Sequence, residues 1–227
     1  MLLSIVVTAA FAALACFLKM VGKSGAIGGF VFGAVIFFCT GWPGFTLLAL
    51  FVVGGALLTR LGYERKNSSG NAQEYGGRRG AKNALANCSV AAIVAVLYAA
   101  TGAEAFAAAF VASLGAAFAD TVESEVGQLY GGTSHLITSL RPVMRGTDGA
   151  ITALGTFAGA IAASMMSLAG LALGFVDGFA AFVLVAIAAF VGTVVDSVIG
   201  AKLPRIGNEA TNIACTFAAA VLTLLLL

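Results

Sequence analysis

Charge is what this chain has least of. Only 10% of its 227 residues are Asp, Glu, Lys or Arg, against 60% hydrophobic residues, where an ordinary soluble domain is about 25% charged. Together with a mean hydropathy of +1.03, this excludes a soluble globular domain. The chain reads as an all-α, polytopic transmembrane bundle, one domain over residues 1–227. A single histidine excludes histidine clusters, and that residue, His135, reads as a surface or capping group in a loop. The four cysteines, Cys16, Cys39, Cys88 and Cys215, lie in apolar runs without paired spacing. They behave as small hydrophobes and offer neither a disulfide nor a zinc site. A net charge of +2, with no basic aromatic patch, gives nucleic acid no footing. Met1 to Phe17 has no basic flank and runs on into further apolar sequence, unlike a cleaved leader. Gly22-Lys23-Ser24 ends like a P-loop, but Phe17 stands where its first glycine belongs and no strand precedes it.

What is there is apolar sequence in blocks. Eight segments emerge, at about 2–18, 25–39, 43–60, 84–100, 103–119, 150–172, 178–195 and 210–227. Several are shorter than the roughly 20 residues of a full span, and 25–39 is the weakest. The connections sort by charge. All 12 Lys and Arg residues fall in 19–24, 60–83, 120–149 and 196–209, and none in the alternate connections near 40–42, 101–102 and 173–177. The positive-inside rule makes the basic side cytoplasmic, which places both termini outside and two cytoplasmic loops at about 61–82 and 120–149. Tyr63 to Gly77, rich in Gly, Ser and Asn, reads as a mobile loop. The acids share the basic side, except Glu104 and Asp177 at opposite helix ends.

The centre of the chain is ADTVESEVG, Ala119 to Gly127, where Asp120, Glu123 and Glu125 follow a nearly uncharged run. Ionisable groups at membrane level are costly and point to function. Helical spacing puts Asp120 with Ser124 on one face and Thr121 with Glu125 on another. Oxygen donors of this kind suit Mg²⁺, which is usually held by one or two carboxylates together with substrate phosphates. The plain alternative is a solvated helix end. Helices that enter from the basic side begin alike: KSGAIGG from Lys23, RRGAKNALAN from Arg78, RGTDGAITALG from Arg145 and RIGNEATN from Arg205. A cation and glycines at a helix N-terminus make an anion site. Topology alone accounts for the cations, but not for the glycines or for Asn83, Asn87, Asn208 and Asn212. A second acidic helix end, VVDSVIGAK, carries Asp196 and Ser197. Carboxylates at helix exits and cations at helix starts suit a metal-bound polyphosphate. They also leave open a cation- or proton-coupled transporter working through Asp120, Glu125 and Asp196, and a helical scaffold without catalysis.

With these motifs in view the chain resembles an integral-membrane family that includes plant phytyl-phosphate kinase, the prenyl-phosphate kinases. ADTVESEVG is similar to that family's Ala-Asp-Thr…Ser-Glu-x-Gly signature, and His135 to Thr156 to its Leu-Ile-Thr…Pro-Val…Gly-Thr-x-Gly element. Gly77 to Asn87 resembles its Gly-Arg-Arg…Leu-Ala-Asn start, and Val191 to Ala201 its Asp-Ser…Gly-Ala exit. An Asn-x-x-x-Asn from Asn208 to Asn212 closes the set, so the likeness spans about residues 20 to 220. Glu123 departs from it, standing where a small or apolar residue is expected, as do Asn83 for Gln and Cys88 for Gly.

The resemblance implies phosphoryl transfer from a nucleoside triphosphate, CTP or ATP, to a phytyl, farnesyl or geranylgeranyl monophosphate, giving the diphosphate. It implies Mg²⁺ on Asp120, Glu125 and Asp196, with Thr121, Ser124 and Ser197 as secondary ligands or orienting groups. Arg78, Arg79, Arg141 and Arg145, with Lys82, would hold the phosphates, Arg141 among the catalytic groups. Asn87, Asn208 and Asn212 would orient phosphates or nucleotide. The expected setting is the cytoplasmic membrane with the site facing the cytoplasm and the isoprenoid tail among the helices. Assembly into a homo-oligomer stays open.

Overall fold

The computed structural model describes residues 1–63 and 78–227; the expected mobile loop, apart from Tyr63, lies outside them. The described residues form seven helices and a small sheet. The helices are α1 (Leu2–Phe17), α2 (Lys23–Arg60), α3 (Ala81–Thr101), α4 (Glu104–Tyr130), α5 (Ala153–Ala172), α6 (Gly178–Lys202) and α7 (Asn208–Leu226). The strands β1 (Ser134–Leu136), β2 (Pro142–Val143) and β3 (Ala150–Ile151) lie between α4 and α5. Six of the helices are long and apolar enough to cross a membrane, and α1, at 16 residues, is shorter.

Helix α2 is not straight. Gly41 has φ 66° and ψ −158°, a backbone region open essentially to glycine alone. Pro43 then falls in the first turn of the second limb, where its missing N–H is tolerated. The chain folds back there. A Cβ placed on Gly33 would lie 3.6 Å from Leu48 Cδ2, whereas 15 residues of straight helix would separate them by about 22 Å. Residues 23–40 and 42–60 are therefore antiparallel limbs of a hairpin, and the apolar segments 25–39 and 43–60 occupy one limb each. An aromatic cluster fills the bend, with Phe37 and Trp42 rings 4.8 Å apart and Phe37 and Phe45 rings 5.2 Å apart.

Helix α4 is the axis of the bundle. Within its most apolar 18-residue stretch 78% of residues are buried, against 33–44% for the other spans. Phe110, Val111 and Leu114 are fully enclosed. Small residues let the neighbours approach: Gly115 faces Ala189 and Met166, Gly170 faces Val111, and Gly192 faces Ala116 and the Cys215 carbonyl. Small residues at helix contacts are the usual device for packing in lipid, where no hydrophobic force joins one helix to another.

Two expectations need correction. Helix α4 does not stop at residue 119 but continues to Tyr130, so the acidic stretch forms its last turns. Residues 120–149 are accordingly not a plain loop, since β1 pairs antiparallel with β2 and β3 within and just beyond them. His135 sits in β1, opposite Pro142 and Ile151, partly buried. The sheet is fixed to the bundle at Gly149 (φ +74°), where any Cβ would strike the Ser197 carbonyl and Ala201 of α6.

Candidate functional site

Among the described residues the charged side chains, Glu104 and Asp177 apart, gather at one end of the bundle. Lys23 and Arg60 mark it on α2, whose second limb returns Gly55 to the residue that Gly25 of the first limb meets, Arg79. Arg60 Nη2 donates to the Leu18 carbonyl and ties α1 to the same end. Arg79 itself precedes α3. Its main chain pairs with Val21, accepting a 3.0 Å hydrogen bond from Gly22 N, and Gly25 lacks the Cβ that would collide with the Arg79 carbonyl. That close approach drives the guanidinium inward. It lies 5.7 Å from the Phe51 ring centroid, and Nη2 donates to Thr121 Oγ1 at 3.2 Å and to Thr59 Oγ1 at 3.4 Å.

Burial lowers the Arg79 pKa from its ordinary value, while the negative charges of Glu125 and then Asp120 raise it. An arginine keeps its proton under such conditions, so the site holds a fixed, desolvated positive charge. Glu125 is only 6% exposed. Thr121 Oγ1 donates to the Ala117 carbonyl at 2.9 Å, which leaves its lone pairs facing the arginine. A cation, two hydroxyls and two carboxylates thus meet where α2, α3 and α4 converge.

A second group adjoins the first through Asp120. The carboxylates of Asp120, Glu123 and Asp196 are close enough for their charges to act on one another. With the Asn212 amide oriented as its neighbours require, its nitrogen donates to Asp196 Oδ2 and to the Asn208 carbonyl, both at 3.2 Å. Its oxygen accepts from Asn87 Nδ2 at 3.3 Å. Asn87, 2% exposed, also donates to the Asn83 carbonyl at 2.9 Å. This chain of amides links α3, α7 and α6. Thr211 adds a hydrogen bond to Asp196, and Thr156 Oγ1 donates to Glu123 Oε1 at 2.8 Å.

The sequence expectations divide accordingly. Asp120, Thr121, Glu125, Arg79, Asp196, Asn87 and Asn212 come together. Ser124, Arg78, Lys82, Arg141 and Asn208 are exposed at the same end, and Ser197 lies partly buried beneath the sheet, its carbonyl against Gly149. Arg145 is used differently. Nε and Nη2 donate to the Gly132 carbonyl at 3.1 and 3.0 Å, and Nη1 to the Gln128 carbonyl at 3.1 Å. It closes the C-terminal end of α4, where unpaired carbonyls and the negative dipole end attract a cation.

Sequence reasoning passed over Thr59, Thr156, Thr211 and the partnered state of Glu123. The spacing of Asp120 and Glu123, three residues apart on a helix, was a usable signal that they share a face. Among the described residues no three acidic, cysteine or histidine side chains are gathered closely enough to hold a metal ion unaided.

Fold and site together define an α-helical polytopic membrane protein with a charged cluster at one end of the bundle. The profile of the family described as Integral membrane protein DUF92 matches residues 6–220, and the chain belongs to that family. It is 37% identical over 203 residues to an uncharacterized membrane protein of Synechocystis sp., covering 86% of this chain and 78% of that one. Against an uncharacterized membrane protein of Methanocaldococcus jannaschii it is 32% identical over 212 residues, 92% of this chain and 86% of the other. Protein VTE6, chloroplastic, of Arabidopsis thaliana shares 30% identity over 201 residues, 84% of this chain and 60% of its own length. No solved structure matches the chain. The resemblance carried by the four motifs therefore holds over most of the sequence.

Proposed function

We propose that this protein is a prenyl-phosphate kinase, transferring the terminal phosphoryl group of a nucleoside triphosphate to an isoprenoid monophosphate. The observation that carries this reading is an inward-turned arginine, Arg79, beside the Glu125 and Asp120 carboxylates of α4, with Asp196 of α6 next to Asp120 at the same end of the bundle. It is supported by the likeness of four motifs to those of the prenyl-phosphate kinases and by the 30% identity to Protein VTE6, chloroplastic. The excess of Lys and Arg in these connections supports a cytoplasmic orientation for this end.

In the reaction an oxygen of the acceptor phosphate attacks the terminal phosphorus of the donor. One P–O bond forms, the bond to the nucleoside diphosphate breaks, and the prenyl diphosphate departs. The acceptor oxygen is already ionised, so no strong base is needed and catalysis rests on positioning and charge. Arg79 supplies a planar fork suited to two phosphate oxygens, held by Thr59 and Thr121 and balanced by Glu125. Asp120 and Asp196 offer hard oxygen donors, which fits Mg²⁺ bound jointly by one or two carboxylates and the substrate's phosphates. When bound, Mg²⁺ would offset the negative charge of the phosphates. Asn87 and Asn212 fix Asp196, while the exposed Arg78, Lys82 and Arg141 face the donor. A transporter is less well supported, because α4 from Ala107 to Ala119 is almost wholly buried and, apart from Ser113, apolar. Between Glu104 and Asp120 this central helix carries no ionisable residue.

The test is direct. Detergent-purified protein is given phytyl, farnesyl or geranylgeranyl monophosphate with Mg²⁺ and each of CTP, ATP, GTP and UTP. Diphosphate from at least one pairing is expected; none from any pairing contradicts the reading.

A further inference from the structure

Beside the charged site lies a cavity that the reaction scheme does not use. It is enclosed by α1, both limbs of α2 and the start of α3. Its walls are apolar, with Phe11, Phe32, Phe45, Leu48 and Val52 prominent, but one end is polar, formed by Arg79, Gly80 and Asn83. The arginine of the charged site is therefore also the headgroup end of an apolar slot. Away from Arg79 the lining includes Phe11 and Phe45, whose rings meet edge to face at 5.3 Å, with Phe37 packed against Phe45.

One wall is open for a reason readable in the sequence. Gly25, Gly29 and Phe32 fall on one face of α2 at helical spacing, and all three line the cavity. At Gly25 the missing side chain makes room for the Arg79 carbonyl. At Gly29 a Cβ would meet nothing within 4 Å, so this glycine is not required by packing against protein. Glycine inside a helix is unfavourable by about 1 kcal/mol relative to alanine, and here it widens the cavity rather than a helix contact.

We infer, building on the kinase reading, that this cavity receives the isoprenoid tail of the acceptor, its phosphate at Arg79 and its terminal isoprene against the Phe11–Phe45 pair, which sets the accepted chain length. An apolar chain with one anionic end matches a slot whose walls are mainly apolar and whose one cation, Arg79, lies at one end. From Gly25, level with Arg79, to Phe32 the wall descends about 10 Å at 1.5 Å per residue. That depth suits several isoprene units rather than one.

The experiment uses full-length wild-type protein and a farnesyl or geranylgeranyl monophosphate bearing a diazirine at its distal end, photolysed without nucleotide. Labelled peptides are mapped by mass spectrometry, and diphosphate formation is assayed separately. Labels on the α1 and α2 segments around Phe11 and Phe45 are expected; labels confined to other helices, or none, would overturn the assignment. Gly29→Leu starts from a Cβ that meets no protein atom within 4 Å, projects into the slot and improves helix propensity, so it should fold. It should weaken geranylgeranyl monophosphate binding about tenfold or more while binding of dimethylallyl monophosphate stays as in wild type. Unchanged long-chain binding in Gly29→Leu also overturns it. Phe45→Ala, where it folds, should shift preference toward longer chains. The two readings separate cleanly: cavity labelling without diphosphate formation removes the kinase and keeps the tail site, whereas diphosphate formation with labels elsewhere does the reverse.

Discussion

Arg79 and Arg145 look alike in the sequence, each a cation followed by glycine shortly before a helix, yet the structure gives them opposite occupations. Arg79 is turned into the bundle and donates to two hydroxyls, Thr59 and Thr121, with carboxylates nearby. Arg145 donates only to main-chain carbonyls at the end of α4. The difference lies in what each leaves for a ligand. A hydroxyl is a weak, neutral acceptor from which a phosphate can recruit a guanidinium, whereas the carbonyls at a helix end have no other donor and hold theirs. Charge and glycine at a helix start therefore mark a place where an anion can bind, and the local acceptors decide whether it does.

Substitutions sharpen that contrast. The largest effect belongs to Arg79→Ala, which should lower kcat/KM for the prenyl monophosphate by about 100-fold or more, the scale of losing one charge-stabilising group. Arg79→Lys, retaining charge without the fork, should recover only part of it. Equal loss in Arg79→Ala and Arg145→Ala would erase the distinction. Arg145→Ala should instead lower stability by about 1–3 kcal/mol, the penalty of stranding carbonyls, seen as a fall in the detergent unfolding midpoint. Its turnover per folded molecule should remain close to wild type. Thr156→Val, which removes a donor from Glu123, should cost about 0.5–2 kcal/mol, the range for hydrogen bonds between membrane helices. Ser124→Ala, at an exposed position among the acids, should change stability by less than about 0.5 kcal/mol and leave turnover alone. A large loss there would return Ser124 to the site.

Much of the fold was legible because lipid makes the rules strict. Apolar runs marked the helices, and the placement of every Lys and Arg in alternate connections marked one end of the bundle. The bend of α2 was readable from Thr40-Gly41-Trp42-Pro43, where a glycine beside a proline interrupts the apolar run. The end of α4 was not. A drop in hydrophobicity after Ala119 suggested that the helix stops, but Thr121 bonds back to Ala117, Glu123 accepts from Thr156 of α5, Glu125 lies within reach of the Arg79 charge, and the helix runs on to Tyr130. Of the candidate site, Asp120, Asp196 and the amides could be named from motif and spacing. Arg145 could not, since its acceptors lie 13 and 17 residues away and exist only once α4 ends where it does. Thr59 and Thr156 were hidden for the same reason. A threonine in an apolar helix carries no mark until the helix that faces it is known.

The central claim is that Asp120, lying between Arg79 and Asp196, belongs to a phosphoryl-transfer site. The most direct measurement is diphosphate formation by purified Asp120→Asn beside wild type and Arg145→Ala, at matched amounts of folded protein. The account predicts background turnover for Asp120→Asn with an unfolding midpoint near wild type, and substantial turnover for Arg145→Ala. Turnover near wild type in Asp120→Asn would contradict it.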